Sequence, residues 1–184
     1  MEIKARLEKP FTGQQRYDFV RAYSRLDIRE TETELQAWGY TDDELLASAK
    51  QGKYNEANNG AKTFLESGNA LFEFEEGKHI EATDGNIAKL TAYALAYVTG
   101  QLEPSETVVW NTKEDETVEL NAEQIGVIVK GLGLVQASVW SVQFPQYIQA
   151  IKTAETVEEV NAITIEYYSE IPVEPIEEIE ESEE

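Results

Sequence analysis

His79 is the single histidine of the chain, with Glu75, Glu76 and Glu81 close to it in sequence. A histidine beside carboxylates can begin a metal site, but such sites gather three or four ligands, and here only one nitrogen is on offer. It reads as a turn histidine. No second feature marks Ser67 or any other serine as a nucleophile for that histidine to activate. Glu73 and Glu81 are placed to face each other across a predicted hairpin, but glycosidase chemistry needs a carboxylate pair at a set separation in an aromatic cleft, and nothing singles this pair out. Gly131-Leu-Gly133 lacks the Gly-Lys-Ser/Thr of a phosphate loop and lies inside a helical pattern, which points to close helix packing. Asp84-Gly85-Asn86 and Glu114-Asp115-Glu116 lack the spacing and final Glu of a calcium loop, and read as a helix cap and a solvated turn. The expectation is no catalytic residue, no metal ligand and no cofactor.

Recognition is better served. Trp38, Trp110 and Trp140 are large amphipathic rings of the kind that line binding faces, although single aromatics at strand or helix spacing more often belong to a core. Tyr167 and Tyr168 precede an acidic stretch in which Glu177, Glu178, Glu180 and Glu181 are clustered. These nine residues are the expected partner-facing set.

The charge sets limits on the partner. The chain has 184 residues, with 36 Asp and Glu against 15 Lys and Arg, a formal charge of -21. Such a chain repels phosphate, so direct nucleic-acid binding and attachment to an anionic membrane are disfavoured. Nine of the nineteen residues from Glu166 to Glu184 are Glu and none is basic, so this tail carries -9 and leaves -12 on the body. With Pro172 and Pro175 it is expected to be disordered when free. Cysteine is absent, which excludes disulfides and thiolate chemistry. No secretory leader is read at the N-terminus and no run of apolar residues reaches a spanning length, so a cytoplasmic protein is expected.

The elements that must position these residues follow from caps and periodicity. Thr12 caps a first helix whose buried face is Tyr17, Val20, Ala22 and Tyr23, ending near Leu26. Residues 28–35 alternate as a mostly solvated strand that could pair with residues 3–7. Thr41-Asp-Asp-Glu44 is a capping box for a helix from Asp42 to about Ala57, with Asn58-Asn59-Gly60 as its end. Residues 70–82 form a hairpin turning at Glu76-Gly77-Lys78, followed by a helix capped at Thr83 or Asp84, with Ile87, Leu90, Tyr93, Ala94, Tyr97 and Val98 on one face. The same order recurs. Residues 107–120 form a second hairpin, and Asn121 with Gln124 opens a helix lined by Ile125, Ile128, Val129, Leu132, Val135, Val139 and Val142. Phe144-Pro145 begins or kinks a further helix, Thr156-Val-Glu-Glu159 caps a short one, and residues 163–168 read as a last strand.

The run Val109-Trp110-Asn111, an acidic turn, Val118-Glu-Leu120-Asn-Ala-Glu-Gln124, a long helix with Trp140, and a close through Thr156-Val-Glu-Glu-Val160 to Ile163 resembles a small domain of unknown function. That domain occurs in tail-region proteins of tailed phages and prophages, often beside tail-fibre genes. The resemblance covers residues 107–163, with Asn121 and Val160 where Thr and Leu are common. Residues 28–45 are similar to small proteins of phage tail modules in gut Firmicutes. The resemblance brings no catalytic residues; it implies a place, as a virion tail component or a tail-fibre assembly chaperone.

The sequence therefore predicts an α+β fold: a small antiparallel sheet built from two β-hairpin-plus-helix units, an N-terminal helical region and a disordered acidic C-terminal tail. Its divisions are residues 1–62, 63–104, 105–165 and 166–184. The expected function is non-enzymatic contact with a tail-fibre or other tail protein, in the host bacterial cytoplasm during assembly or in the virion tail. A homo-oligomer stays open. The alternative is an acidic inhibitor of a host defence or nucleic-acid-binding enzyme, its carboxylates imitating DNA phosphates.

Overall fold

A computed structural model describes residues 1–169; the expectations for the acidic tail beyond them, including Glu177, Glu178, Glu180 and Glu181, lie outside the described residues. The fold is α+β with small antiparallel sheets. The chain forms two compact units, one from Met1–Lys53 with Ile151–Ile163, the other from Tyr54–Ala150 with the chain from Thr164.

In the first unit, β1 (Glu2–Glu8), α1 (Gly13–Ala22), β2 (Asp27–Glu30) and β3 (Glu34–Gly39) make an antiparallel sheet in the order β1-β3-β2. The predicted single strand over 28–35 is in fact two strands. Thr31 divides them: its hydroxyl accepts from the amides of Thr33 (3.3 Å) and Glu34 (3.1 Å), giving the backbone a turn in place of a ladder. β3 alternates its burial so that Leu35 and Ala37 face α1, which contributes Phe19 to the same core. Phe19, and not Tyr17, anchors that helix: Tyr17 and Ala22 are exposed. Thr12 and Gln15 form its capping box.

The capping box predicted at Thr41 is present: the Thr41 hydroxyl accepts from the Glu44 amide at 3.1 Å, and the Thr41 amide donates to the Glu44 carboxylate at 2.9 Å. The helix it opens, α2, runs over Asp42–Glu66, past the predicted end at Asn58-Asn59-Gly60. Tertiary burial overrides the local breakers: Ala57, Ala61 and Leu65 lie on the covered side of its later turns. Gly60 has a packing role, since a Cβ there would stand 3.2 Å from the Tyr167 ring.

In the second unit the two hairpin-helix segments form as predicted: β4 (Leu71–Glu75), β5 (Lys78–Glu81) and α3 (Asp84–Val98), then β6 (Val108–Asn111), β7 (Thr117–Leu120) and α4 (Ala122–Ala137). Both helices begin on a side-chain cap, Thr83 accepting from the Asn86 amide and Asn121 from the Gln124 amide. The hairpins do not merge into one sheet; each is a separate two-stranded ladder. They are linked by the Lys113 amide, which donates to the His79 carbonyl at 2.9 Å. Leu90, Leu120, Ile125, Ile128, Leu132, Val135 and Val139 fill the core between hairpins and helices. Tyr93 and Val98, predicted to face inward from α3, are exposed, Val98 at 84%.

α4 continues through a π-helical turn at Ser138–Gln143 into α5 (Phe144–Thr153), and a separate short helix, α6 (Val157–Ala162), starts at the Thr156 cap. The Phe144 amide donates to the Val139 carbonyl, five residues back, and Pro145 follows in the first turn of α5 without ending the helix. Val142, predicted to be inward, is exposed by this change of pitch, and Gln143 is buried in its place. The last strand predicted over residues 163–168 does not form: these residues carry no regular secondary structure and pair in no ladder.

Candidate functional site

The three tryptophans do not converge. Trp38 is half-buried on β3, its indole Nε1 donating to Gln36 at 2.8 Å and its ring covered by the Arg29 guanidinium at 4.9 Å. These contacts are those of a structural residue. Trp110, half-buried on β6, lines a polar recess of about 330 Å³ with Glu81, Asn86, Asn111, Thr112, Lys113 and Asp115. Much of that recess is already bonded internally: Lys113 Nζ donates to Glu81 at 2.7 Å and Asn86 Nδ2 to the Glu81 carbonyl at 3.1 Å.

His79 lies beside the same recess, on β5. Its amide donates to Glu114 Oε2 at 3.0 Å and its ring Nδ1 lies 2.8 Å from Glu114 Oε1, so one carboxylate from the second hairpin clamps one residue of the first. Those contacts, the backbone donor foremost, hold the Glu114 carboxyl down at about 2. The partner of His79 is a residue 35 positions away and not the neighbouring Glu75, Glu76 or Glu81. Across the first hairpin Glu73 faces His79, and Glu81 faces Leu71, so the predicted Glu73–Glu81 pair does not form. Among the described residues no group of three or more His, Asp or Glu is placed to hold a metal ion.

Trp140 has the surroundings of a contact residue. It lies in the π-helical turn, 36% exposed, with its ring edge-on to Phe144 at 5.5 Å, and Phe144 in turn meets Tyr54 at 5.9 Å. Val142 is exposed from the same turn. Earlier in the run, Val127 and Leu134, two helical turns apart on one face of α4, are also exposed. The run Ala122–Thr153 carries a window of mean hydropathy 1.6, long and apolar enough by composition to cross a membrane, of which only 39% is buried.

Residues 167 and 168 are tied down by polar clamps. Gln143, 2% exposed, accepts from the Tyr168 amide at 3.1 Å and donates to the Tyr168 carbonyl at 2.8 Å, imitating one rung of a β-ladder. Its Nε2 also reaches Ser138 Oγ at 3.1 Å. The Tyr167 hydroxyl donates to the Ala57 carbonyl at 2.9 Å, and its ring stacks on Phe64 and meets Tyr147 edge-on at 5.3 Å. Burial pushes the Tyr167 hydroxyl up to about 12. Tyr167 is therefore a packing residue, while the Tyr168 ring is exposed. Sequence reading did not register Gln143, and the signal available to it was an amide interrupting an otherwise apolar helical face.

Comparison of the chain with protein-family models, curated proteins and solved structures finds no match, so the site is read from its own geometry.

Proposed function

We propose that this protein acts by protein–protein contact, as a phage tail-module protein whose exposed apolar helical face engages a tail-fibre or other tail subunit, either as an assembly chaperone or as a minor structural component. The carrying observation is an 18-residue apolar window within the run Ala122–Thr153, of which 39% is buried; along this run Val127, Leu134, Trp140 and Val142 are partly exposed to water. Exposed apolar side chains favour association, and a covering partner removes them from water. The resemblance of residues 107–163 to tail-region domains supplies the class of partner. The acidic charge keeps such a face dispersed until the partner arrives.

The test is a pull-down with the tagged full chain from phage-infected or prophage-induced cells, read by mass spectrometry beside purified virions. Wild type is expected to recover a tail-fibre or tail subunit, and Val127→Ser/Leu134→Ser to lose it. Presence in virions assigns a structural component, and absence assigns a chaperone. Recovery of a host nuclease with no tail protein, or binding to lipid vesicles that the double variant abolishes, would overturn the reading.

A further inference from the structure

A second surface, in the first unit, is built differently and does not rest on the tail-module reading. The Thr41 cap starts α2 and the Thr156 cap starts α6, and both helices carry acidic residues in their first turn. Residues from these two starts line one groove of about 560 Å³. Its apolar part is Leu45, Leu46 and Val157; its charged part is Asp42, Asp43, Glu155 and Glu158, and no basic side chain lines it. Leu45 is 45% exposed, so the groove offers apolar area and not only charge.

We propose that this groove is a docking site for a basic, apolar-anchored peptide segment of another protein. Lys4 interacts with Asp42 from outside the groove, but four lining carboxylates against that one cation leave the groove net negative, which attracts Lys and Arg and repels phosphate and acidic segments. The leucines and Val157 gain nothing from a bare cation; they gain from an aliphatic or aromatic side chain that displaces water from them. Both conditions are met by a peptide that carries an apolar anchor with basic residues beside it. The volume suits one or two anchoring side chains, within the range of about 300–1,000 Å³ usual for ligand pockets. The carboxylates sit in or beside first turns, where the helix dipole favours negative charge, so the charged part comes with the two helix starts.

The probe is a short fluorescein-labelled peptide alternating Lys and Leu, titrated with the full chain and read by fluorescence anisotropy at low and at physiological salt. A companion peptide with every Leu replaced by Ser keeps the charge and removes the anchors. The Lys-Leu peptide is expected to bind tighter, and Leu45→Ser, which changes no charge, to weaken it about tenfold. Asp43→Asn with Glu158→Gln is expected to weaken binding about tenfold at low salt and to flatten its salt dependence. Circular dichroism of each variant confirms that the fold is kept; because Leu45 is exposed, its replacement does not open the core. Equal binding of the two peptides, or wild-type affinity in both variants, would overturn the proposal. So would self-association of the wild type that Leu45→Ser abolishes, because a second copy would then be the occupant.

Discussion

Gly131→Ala sets two known effects against each other at one atom. On an exposed helix position, replacing Gly by Ala gains about 1 kcal/mol in helix propensity. At Gly131 the new Cβ would stand 2.2 Å from the Phe72 ring of β4, against the 3.4 Å at which ordinary contact begins, so ring and helix must part by 1.2 Å. Phe72 is packed against the buried core, and a close-packed interior does not yield that distance freely; overpacking of this kind costs about 1–3 kcal/mol. With a clash 1.2 Å inside ordinary contact the overpacking cost offsets the propensity gain, and a net loss of up to about 2 kcal/mol is expected. At Gly126 and Gly133 on the same helix an added Cβ would meet nothing within 4 Å, and their alanine variants are expected to gain about 0.5–1 kcal/mol. Urea unfolding followed by circular dichroism, with the three alanine variants side by side, gives the comparison. Phe72→Leu in the Gly131→Ala background is expected to recover part of the loss, because the ring atoms in conflict are gone. Equal midpoints for Gly131→Ala and Gly133→Ala would refute the argument that β4 packs directly on this glycine.

Three other outcomes follow from the geometry. Gln143→Met keeps volume and removes the amide that pairs with the Tyr168 backbone, and is expected to cost about 1–3 kcal/mol in urea unfolding and to speed proteolysis after Thr164. The Glu114 carboxyl is held low in the folded state, so its stabilisation is present above the ordinary carboxylate value of 4.5 and is lost as pH falls toward about 2; Glu114→Gln is expected to flatten the acid limb of a stability–pH curve over that window. Tyr167 is held high, so its contribution is complete below pH 10 and is lost as pH rises toward about 12; ultraviolet titration is expected to show a late-ionising tyrosine that Tyr167→Phe removes.

Much of the local architecture was legible in the sequence. Thr12, Thr41, Thr83, Asn121 and Thr156 each announced a helix start, because a cap is a bond between a side chain and an amide two or three residues on. Both hairpins were legible for the same reason: alternation and turn residues act over a few positions. What sequence could not fix were outcomes decided by distant partners. Asn58-Asn59-Gly60 has the chemistry of a helix end, yet α2 continues because Ala57, Ala61 and Leu65 find a core and Gly60 admits the Tyr167 ring from more than a hundred residues away. Trp38, Trp110 and Trp140 look alike as letters, but only Trp140 is exposed beside other exposed apolar residues, because a π-helical turn shifts the pitch and brings Gln143 inward. The groove at Leu45 was equally hidden: its two walls are helix starts more than a hundred residues apart, each legible by itself, and only the folded chain brings their apolar side chains and carboxylates to one place. Sequence determines what is settled by neighbours along the chain; the tertiary structure decides which of those neighbourhoods meet, because burial rewards contacts regardless of their separation in sequence.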